Sequence, residues 1–126
     1  MSLRLVRTIA ALVLVGLAAG CGGDSSSDGE ASAELVDRGA EVYAASCASC
    51  HGTDLEGTDR GPSHLSIVYE PNHHPDSSFR SAITNGAFEH HWSFGPMPPV
   101  EGLTDQDVDA VIAFVRAEQE ARGFQR

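Results

Sequence analysis

Lysine is absent from this 126-residue sequence, and its eight basic residues are all arginines, set against eighteen Asp and Glu residues. Two of the arginines, Arg4 and Arg7, lie in the first twenty residues, which contain no acidic residue. The remaining chain therefore has six arginines and a formal charge of −12. Such a surface lacks the cations that bind phosphates, which argues against nucleic acid as a partner. It would attract a basic docking face on a protein partner, unless the acidity serves only solubility.

Alternating patterns typical of strands are nearly absent, and the sequence has no internal repeat. Three helical patterns are present instead. The first has apolar and small residues at spacings of three and four over residues 35–46. The second covers Ser77 to Thr84, between a Pro-Asp start signal and an Asn-Gly stop signal. The third begins at a capping box at residues 104–107 and continues as an apolar stripe toward Gly123. These patterns predict an all-α domain.

The predicted folded domain has few apolar residues with which to form a core. The folded part has about ninety residues, with loops rich in Gly, Pro, Asn and His between the helical patterns. A chain of this size with so much loop buries little apolar surface unaided. We therefore expect another group to fill its core.

Long apolar runs are missing except over residues 9–19, which is shorter than the roughly 20 apolar residues of a membrane-spanning helix. This run follows Arg4 and Arg7, an order typical of a secretory signal peptide. The stretch from Leu17 to Cys21 resembles the lipobox of bacterial lipoproteins, whose cysteine becomes the lipidated first residue. Ala18 stands where the commonest lipobox has leucine. Simple cleavage nearby, or an uncleaved anchor, is the alternative.

These features divide the chain into three segments. Residues 1–20 are predicted to be the signal peptide, and residues 34–126 the folded domain. Residues 21–33 are predicted to be the lipidated Cys21 and a flexible tether of Gly, Ser, Ala and acidic residues. The protein would then be exported and anchored by lipid, facing the periplasm or the outer side of the cytoplasmic membrane.

Cysteine is scarce, and two of the three cysteines belong to the motif C-x-x-C-H at residues 47–51. This motif is the attachment signature of c-type haem. Cys47 and Cys50 can each form a thioether with one vinyl group of the same haem, and His51 is then placed as the proximal iron ligand. A zinc site would need further ligands at suitable spacing, and a thioredoxin-like motif would need a βαβ setting. A Cys47–Cys50 disulfide would close a very small, strained loop.

Methionine is equally scarce, since Met97 is the only one after Met1. It lies in the sequence Phe-Gly-Pro-Met-Pro-Pro at residues 94–99, where three prolines restrict the backbone. A stiff loop can hold a thioether as the second axial ligand, and such a soft ligand favours reduced iron and raises its potential. The alternative is a proline-rich surface loop with an incidental methionine.

Together these motifs resemble class I cytochrome c of the short bacterial type, over residues from about 35 to 124. The resemblance implies an all-α fold of three or more helices around one covalently bound haem c. It also implies that the Pro62 carbonyl accepts a hydrogen bond from His51 Nδ1, and that the helix carrying Gly39 crosses the last helix. The matching positions are Gly39 and Tyr43, C-x-x-C-H-G at 47–52, Gly61-Pro62 with Leu65, Ile83 to Gly86, Gly95 to Pro98, Leu103 to Asp105, and Phe114.

The function that this resemblance implies is single-electron transfer through haem with His51 and Met97 as axial ligands. The protein would be an electron carrier between membrane-associated redox partners, not an enzyme, and would have no small-molecule substrate. The alternative is a dedicated cytochrome subunit of a periplasmic dehydrogenase or reductase. A haem enzyme or gas sensor would need an open or labile sixth position.

Several other residues allow two interpretations. Adjacent histidines point apart in most backbones, so the pairs at 73–74 and 90–91 are expected to be solvated or partly packed; the alternatives are a second metal site, or one histidine replacing Met97 on the iron. Trp92 and Phe94 line the haem or belong to the core. Arg60 and Arg80 are exposed or pair with a propionate. The sequence offers no interpretation of the loop at 69–75.

Overall fold

The structure of the chain is a computed structural model that describes residues 25–124, with residues 25–31 described by their backbone alone. Within this range the elements are α1 (Ser25–Ser46), α2 (Ala48–His51), a 3₁₀ turn (Ile67–Tyr69), α3 (Asp76–Asn85) and α4 (Asp105–Ala121). The described residues form no strand, and their one isolated bridge pairs Ala87 with Met97. The prediction of an all-α fold is confirmed.

The N-terminal helix is longer than the sequence pattern indicated. Residues 25–33, predicted to be part of a flexible tether, have a helical backbone, because α1 begins at Ser25. Residues 32–35 are exposed, so no burial holds this end of the helix. Its alanine and glutamate residues are good helix formers, and a packed helix extends readily into such a sequence. The predicted signal peptide and Cys21 lie outside the described residues, so the division into segments stays a prediction.

A helix that crosses a bilayer must be long and predominantly apolar. No helix within residues 25–124 is both long enough and apolar enough to cross a bilayer.

The crossing of α1 and α4 depends on a glycine. A Cβ atom at Gly39 would lie 2.0 Å from the carbonyl oxygen of Ala110 and 2.7 Å from the Cβ atom of Phe114. Any side chain at this position would therefore separate the two helices. One turn later, the ring of Tyr43 packs against Phe114 at a centroid distance of 5.4 Å. The predicted contact between the first and last helices is confirmed.

Helix α4 supplies much of the core. Its buried apolar residues are Val108, Ala110, Val111, Ile112 and Val115, which follow the predicted stripe. The capping box at its start is present, with the Thr104 and Asp107 side chains each accepting from the other's backbone N–H. Hydrogen bonds from Thr104, and to a smaller extent Arg38, lower the pKa of Asp107 to about 2. The Arg38–Asp107 ion pair, at 2.6 Å, also links α1 to α4.

The loop at residues 69–75 is fastened to α4 by Arg116, which is only 7% exposed. The guanidinium carbon lies 4.7 Å from the centroid of the Phe79 ring, a cation–π arrangement. Its acceptors are the Asp76 carboxylate, the Gln119 side-chain oxygen, and the carbonyl oxygens of Tyr69 and His74. This buried network gives the uninterpreted loop a fixed position beside the core.

Candidate haem site

The C-x-x-C-H motif lies on a single helical turn. The backbone N–H of Cys47 donates to the Tyr43 carbonyl at 2.8 Å, and that of His51 donates to the Cys47 carbonyl at 3.0 Å. Cys47 is buried, Cys50 is half-buried, and the two are not bonded to each other. Burial, and to a smaller extent the neighbouring Cys50, raises the pKa of Cys47 to about 11.

His51 is held in one tautomer. Its Nδ1–H donates to the carbonyl oxygen of Pro62 at 2.9 Å, which is the contact that the resemblance implied. The bond leaves Nε2 without a proton and available to a metal. Burial lowers the pKa of His51, although the Pro62 bond acts in the opposite direction. The buried imidazole is thus neutral, which is the form that binds iron.

A cavity of about 560 Å³ opens beside this turn. Cys47, His51, Pro62 and Met97 line it, so the structure brings four of the five predicted haem residues to one space. Cys50 is not among the lining residues, and its sulfur lies 3.9 Å from the Ser49 hydroxyl. The volume falls within the range of about 300–1,000 Å³ typical of ligand sites. Most of the lining is apolar, as a large planar hydrophobic group requires.

The loop at residues 94–99, which carries Met97 and is called the methionine loop here, is attached to the end of α3. Ala87 and Met97 exchange two backbone hydrogen bonds, each 2.9 Å long, and the N–H of Val100 donates to the Ile83 carbonyl at 2.8 Å. Gly86 has a φ of +78°, and a Cβ atom there would lie 2.7 Å from the Met97 carbonyl oxygen. The Ile-x-x-Gly pattern from Ile83 to Gly86 therefore has a steric explanation. It ends α3 with a residue that lets the methionine loop approach closely.

His64 belongs to the site, although the sequence analysis did not select it. It is 9% exposed, and its ring stacks on His51 at a centroid distance of 4.1 Å with an interplanar angle of 20°. Burial, followed by repulsion from His51 and Arg116, lowers its pKa well below the ordinary value. Its Nδ1 has no hydrogen-bond partner among the described residues. His64 lies between Pro62 and Leu65, two of the positions that match the family, and that location was the available signal.

The aromatic residues of uncertain role line the cavity. Trp92 stacks on Tyr69 at a centroid distance of 6.0 Å, and Phe94 lies beside Trp92. The two arginines that could have reached a propionate have other partners. Arg60 donates to the Ser49 carbonyl, and Arg80 pairs with Asp109. Neither arginine is among the residues that line the cavity.

The residues that line this cavity, together with Cys50 of the same helical turn, suit one chemical group. Two thiols three residues apart, a neutral imidazole with Nε2 free and a thioether on a fixed loop form the donor set of c-type haem. The unaided core is small, and the cavity adjoins it through Phe79, Ile83, Val111 and Val115. A bound haem would therefore complete the core as well as supply the redox centre.

Comparison with known proteins agrees with this chemistry. The family model for cytochrome c matches residues 36–118, which include the whole C-x-x-C-H turn and the methionine loop. The chain belongs to the cytochrome c family.

This cytochrome also resembles cytochrome c-551 of Bacillus subtilis (strain 168). The two are 33% identical over 102 residues, covering 77% of this chain and 80% of the relative. Membership of the family means that the cytochrome carries covalently bound haem c and transfers electrons rather than catalysing a reaction on a substrate. It also groups the cytochrome with exported proteins.

Proposed function

We propose that this cytochrome carries single electrons through one haem whose iron is ligated by His51 and Met97. The observation that carries the proposal is that both side chains line the same cavity, together with Cys47. When bound, haem c supplies an iron that accepts and releases one electron. Cys47 and Cys50 would hold the haem through thioethers, and His51 Nε2 would face the iron because Pro62 holds Nδ1.

Met97 would do two things in this arrangement. Its thioether favours reduced iron, which raises the reduction potential. Its backbone is fixed by the two hydrogen bonds with Ala87 and restricted by the prolines on either side. A ligand fixed in this way closes the sixth position to oxygen or a substrate. This closure supports a carrier rather than a haem enzyme or a gas sensor.

We propose that its partners are membrane-associated redox proteins with a basic docking face. The support is the formal charge of −12 beyond residue 20. Opposite charges raise the rate of encounter by about 10–10³-fold, and salt removes this gain. Oxidation of the reduced cytochrome by a basic redox protein should therefore slow about tenfold or more between low and physiological ionic strength, as followed by stopped-flow absorption.

A matched control uses a small neutral oxidant, for which the rate should depend little on salt. If the rate with the basic protein is equally indifferent to ionic strength, the acidic surface does not guide docking. If the cytochrome exchanges no electrons with either oxidant, the carrier function itself is contradicted.

We further propose that Cys21 carries a lipid anchor after removal of residues 1–20. The order of basic, apolar and small residues before the cysteine supports this proposal. Helix α1 begins at Ser25, which would place the folded domain close to the bilayer. The intact mass of the mature protein decides the matter. A chain that begins at Cys21 with acyl groups is expected, and an unmodified N-terminus would contradict the anchor.

A further inference from the structure

Four histidines meet at one side of the cavity. The sequence analysis expected the adjacent pairs to point apart, but the structure brings the two loops that carry them face to face. The ring of His91 lies 5.2 Å from that of His73 and 5.3 Å from that of His74, between centroids. His90 stacks on His74 at 5.6 Å. All four side chains line the edge of the cavity, where His73, His90 and His91 are exposed.

We propose that His73, His74 and His91 bind one divalent transition-metal ion, with zinc as the representative ion. One ring nitrogen from each residue lies within 4.8 Å of the other two. The Nε2 atoms of His73 and His91 are 3.3 Å apart. Two nitrogens at zinc–nitrogen distances of about 2.0–2.1 Å in a tetrahedral site lie about 3.3 Å apart. This pair therefore already has the separation of two zinc ligands.

The third histidine is oriented in the way that metal-binding histidines usually are. His74 Nδ1–H donates to the Val68 carbonyl at 2.7 Å, so Nε2 is the ring nitrogen that can bind a metal. A hydrogen bond from the second ring nitrogen to a carbonyl is the usual means of fixing the tautomer of a metal ligand. The backbone carbonyl of His74 is itself held by Arg116. His74 is thus a rigid member of the site, whereas the exposed rings of His73 and His91 are free to adjust.

Charge favours a cation at this position. The facing Nε2 atoms of His73 and His91 are within hydrogen-bond distance at 3.3 Å, and a metal ion bound by both would take the place of the proton between them. The net negative charge of the chain attracts cations, and neutral imidazoles suit zinc, copper and nickel. Three histidines leave the fourth zinc position to water or to another ligand.

The test is a calorimetric titration of the metal-stripped, haem-loaded, full-length protein with Zn²⁺, which neither oxidises nor reduces the haem. We expect one zinc per chain. The His91→Ala and His73→Ala variants should bind zinc at least about tenfold more weakly. The matched control is His90→Ala, which removes a neighbouring exposed histidine outside the three and should change the affinity by less than about threefold.

The haem absorption spectrum recorded in the same titration separates this site from the haem iron. It should be the same in all variants and should not change as zinc binds. Three results would overturn the proposal: no stoichiometric zinc binding, an equal loss of affinity in the His90 and His91 variants, or a change in haem ligation when His73 or His91 is removed. The last result would assign a histidine to the iron. None of these readouts depends on electron transfer to a partner.

Discussion

Replacing Met97 with alanine is expected to abolish a weak near-infrared iron–sulfur charge-transfer band, which the oxidised wild type is expected to show. The reduction potential should fall on the order of 0.1 V or more, within the range of about 0.8 V that axial ligands cover. The reason is that a thioether stabilises ferrous iron, and alanine offers the iron no ligand. Absorption spectra and a spectroelectrochemical titration of the haem-loaded proteins measure both effects.

The matched control for this substitution is Glu101→Gln. Glu101 lies a few residues further along the chain, is exposed and is not among the residues that line the cavity. Its variant should keep the band and the potential. Carbon monoxide should bind the reduced Met97→Ala protein but not the reduced wild type, because with Met97 as the proposed axial ligand only the variant would have an open sixth position. A wild-type protein without the band would mean that a histidine or an open site replaces Met97 on the iron.

Replacing Arg116 with alanine is expected to lower the free energy of unfolding by about 3 kcal/mol. The substitution leaves the Gln119 side-chain oxygen and the His74 carbonyl oxygen without the arginine donor, whereas the Tyr69 carbonyl keeps a longer hydrogen bond of 3.4 Å from Gln119 Nε2. Each buried acceptor left unsatisfied costs about 1–3 kcal/mol. The Asp76 carboxylate adds little, because it is 65% exposed and screened by water. Denaturant unfolding of the haem-loaded protein measures the loss.

Arg122→Ala provides the comparison at the C-terminal cap of the same helix. Arg122 is 40% exposed and pairs with Glu118 one turn earlier, a contact worth at most about 0.5 kcal/mol. The Arg116 variant should therefore be destabilised several times more than the Arg122 variant. Equal losses would show that the Arg116 network does not hold the loop at residues 69–75.

The features predicted from the sequence are those encoded by local spacing. The apolar stripe and capping box of α4 each lie within a few turns, so their periodicity was sufficient to predict them. The C-x-x-C-H turn is recognised in the same way. The Gly39 contact came from the family resemblance, and the structure explains it by the absence of space for a Cβ atom near Ala110.

The features that the sequence analysis missed depend on contacts between distant segments. Arg116 reaches Asp76 and Tyr69 across 40 and 47 positions of sequence. A charged residue in a helix gives no sign of such partners. His73 meets His91 only because two loops fold over the same cavity. The early start of α1 reflects helix propagation from a packed end, which the lack of large apolar residues did not indicate.

The measurement that tests the central claim most directly is the intact mass of the exported protein under denaturing conditions. The account predicts a chain that retains the mass of one haem, with neither Cys47 nor Cys50 available to a thiol reagent. A chain without the haem mass, with two free thiols or with a Cys47–Cys50 disulfide, would contradict it. In that case neither the cavity nor the C-x-x-C-H turn would hold a covalent redox centre.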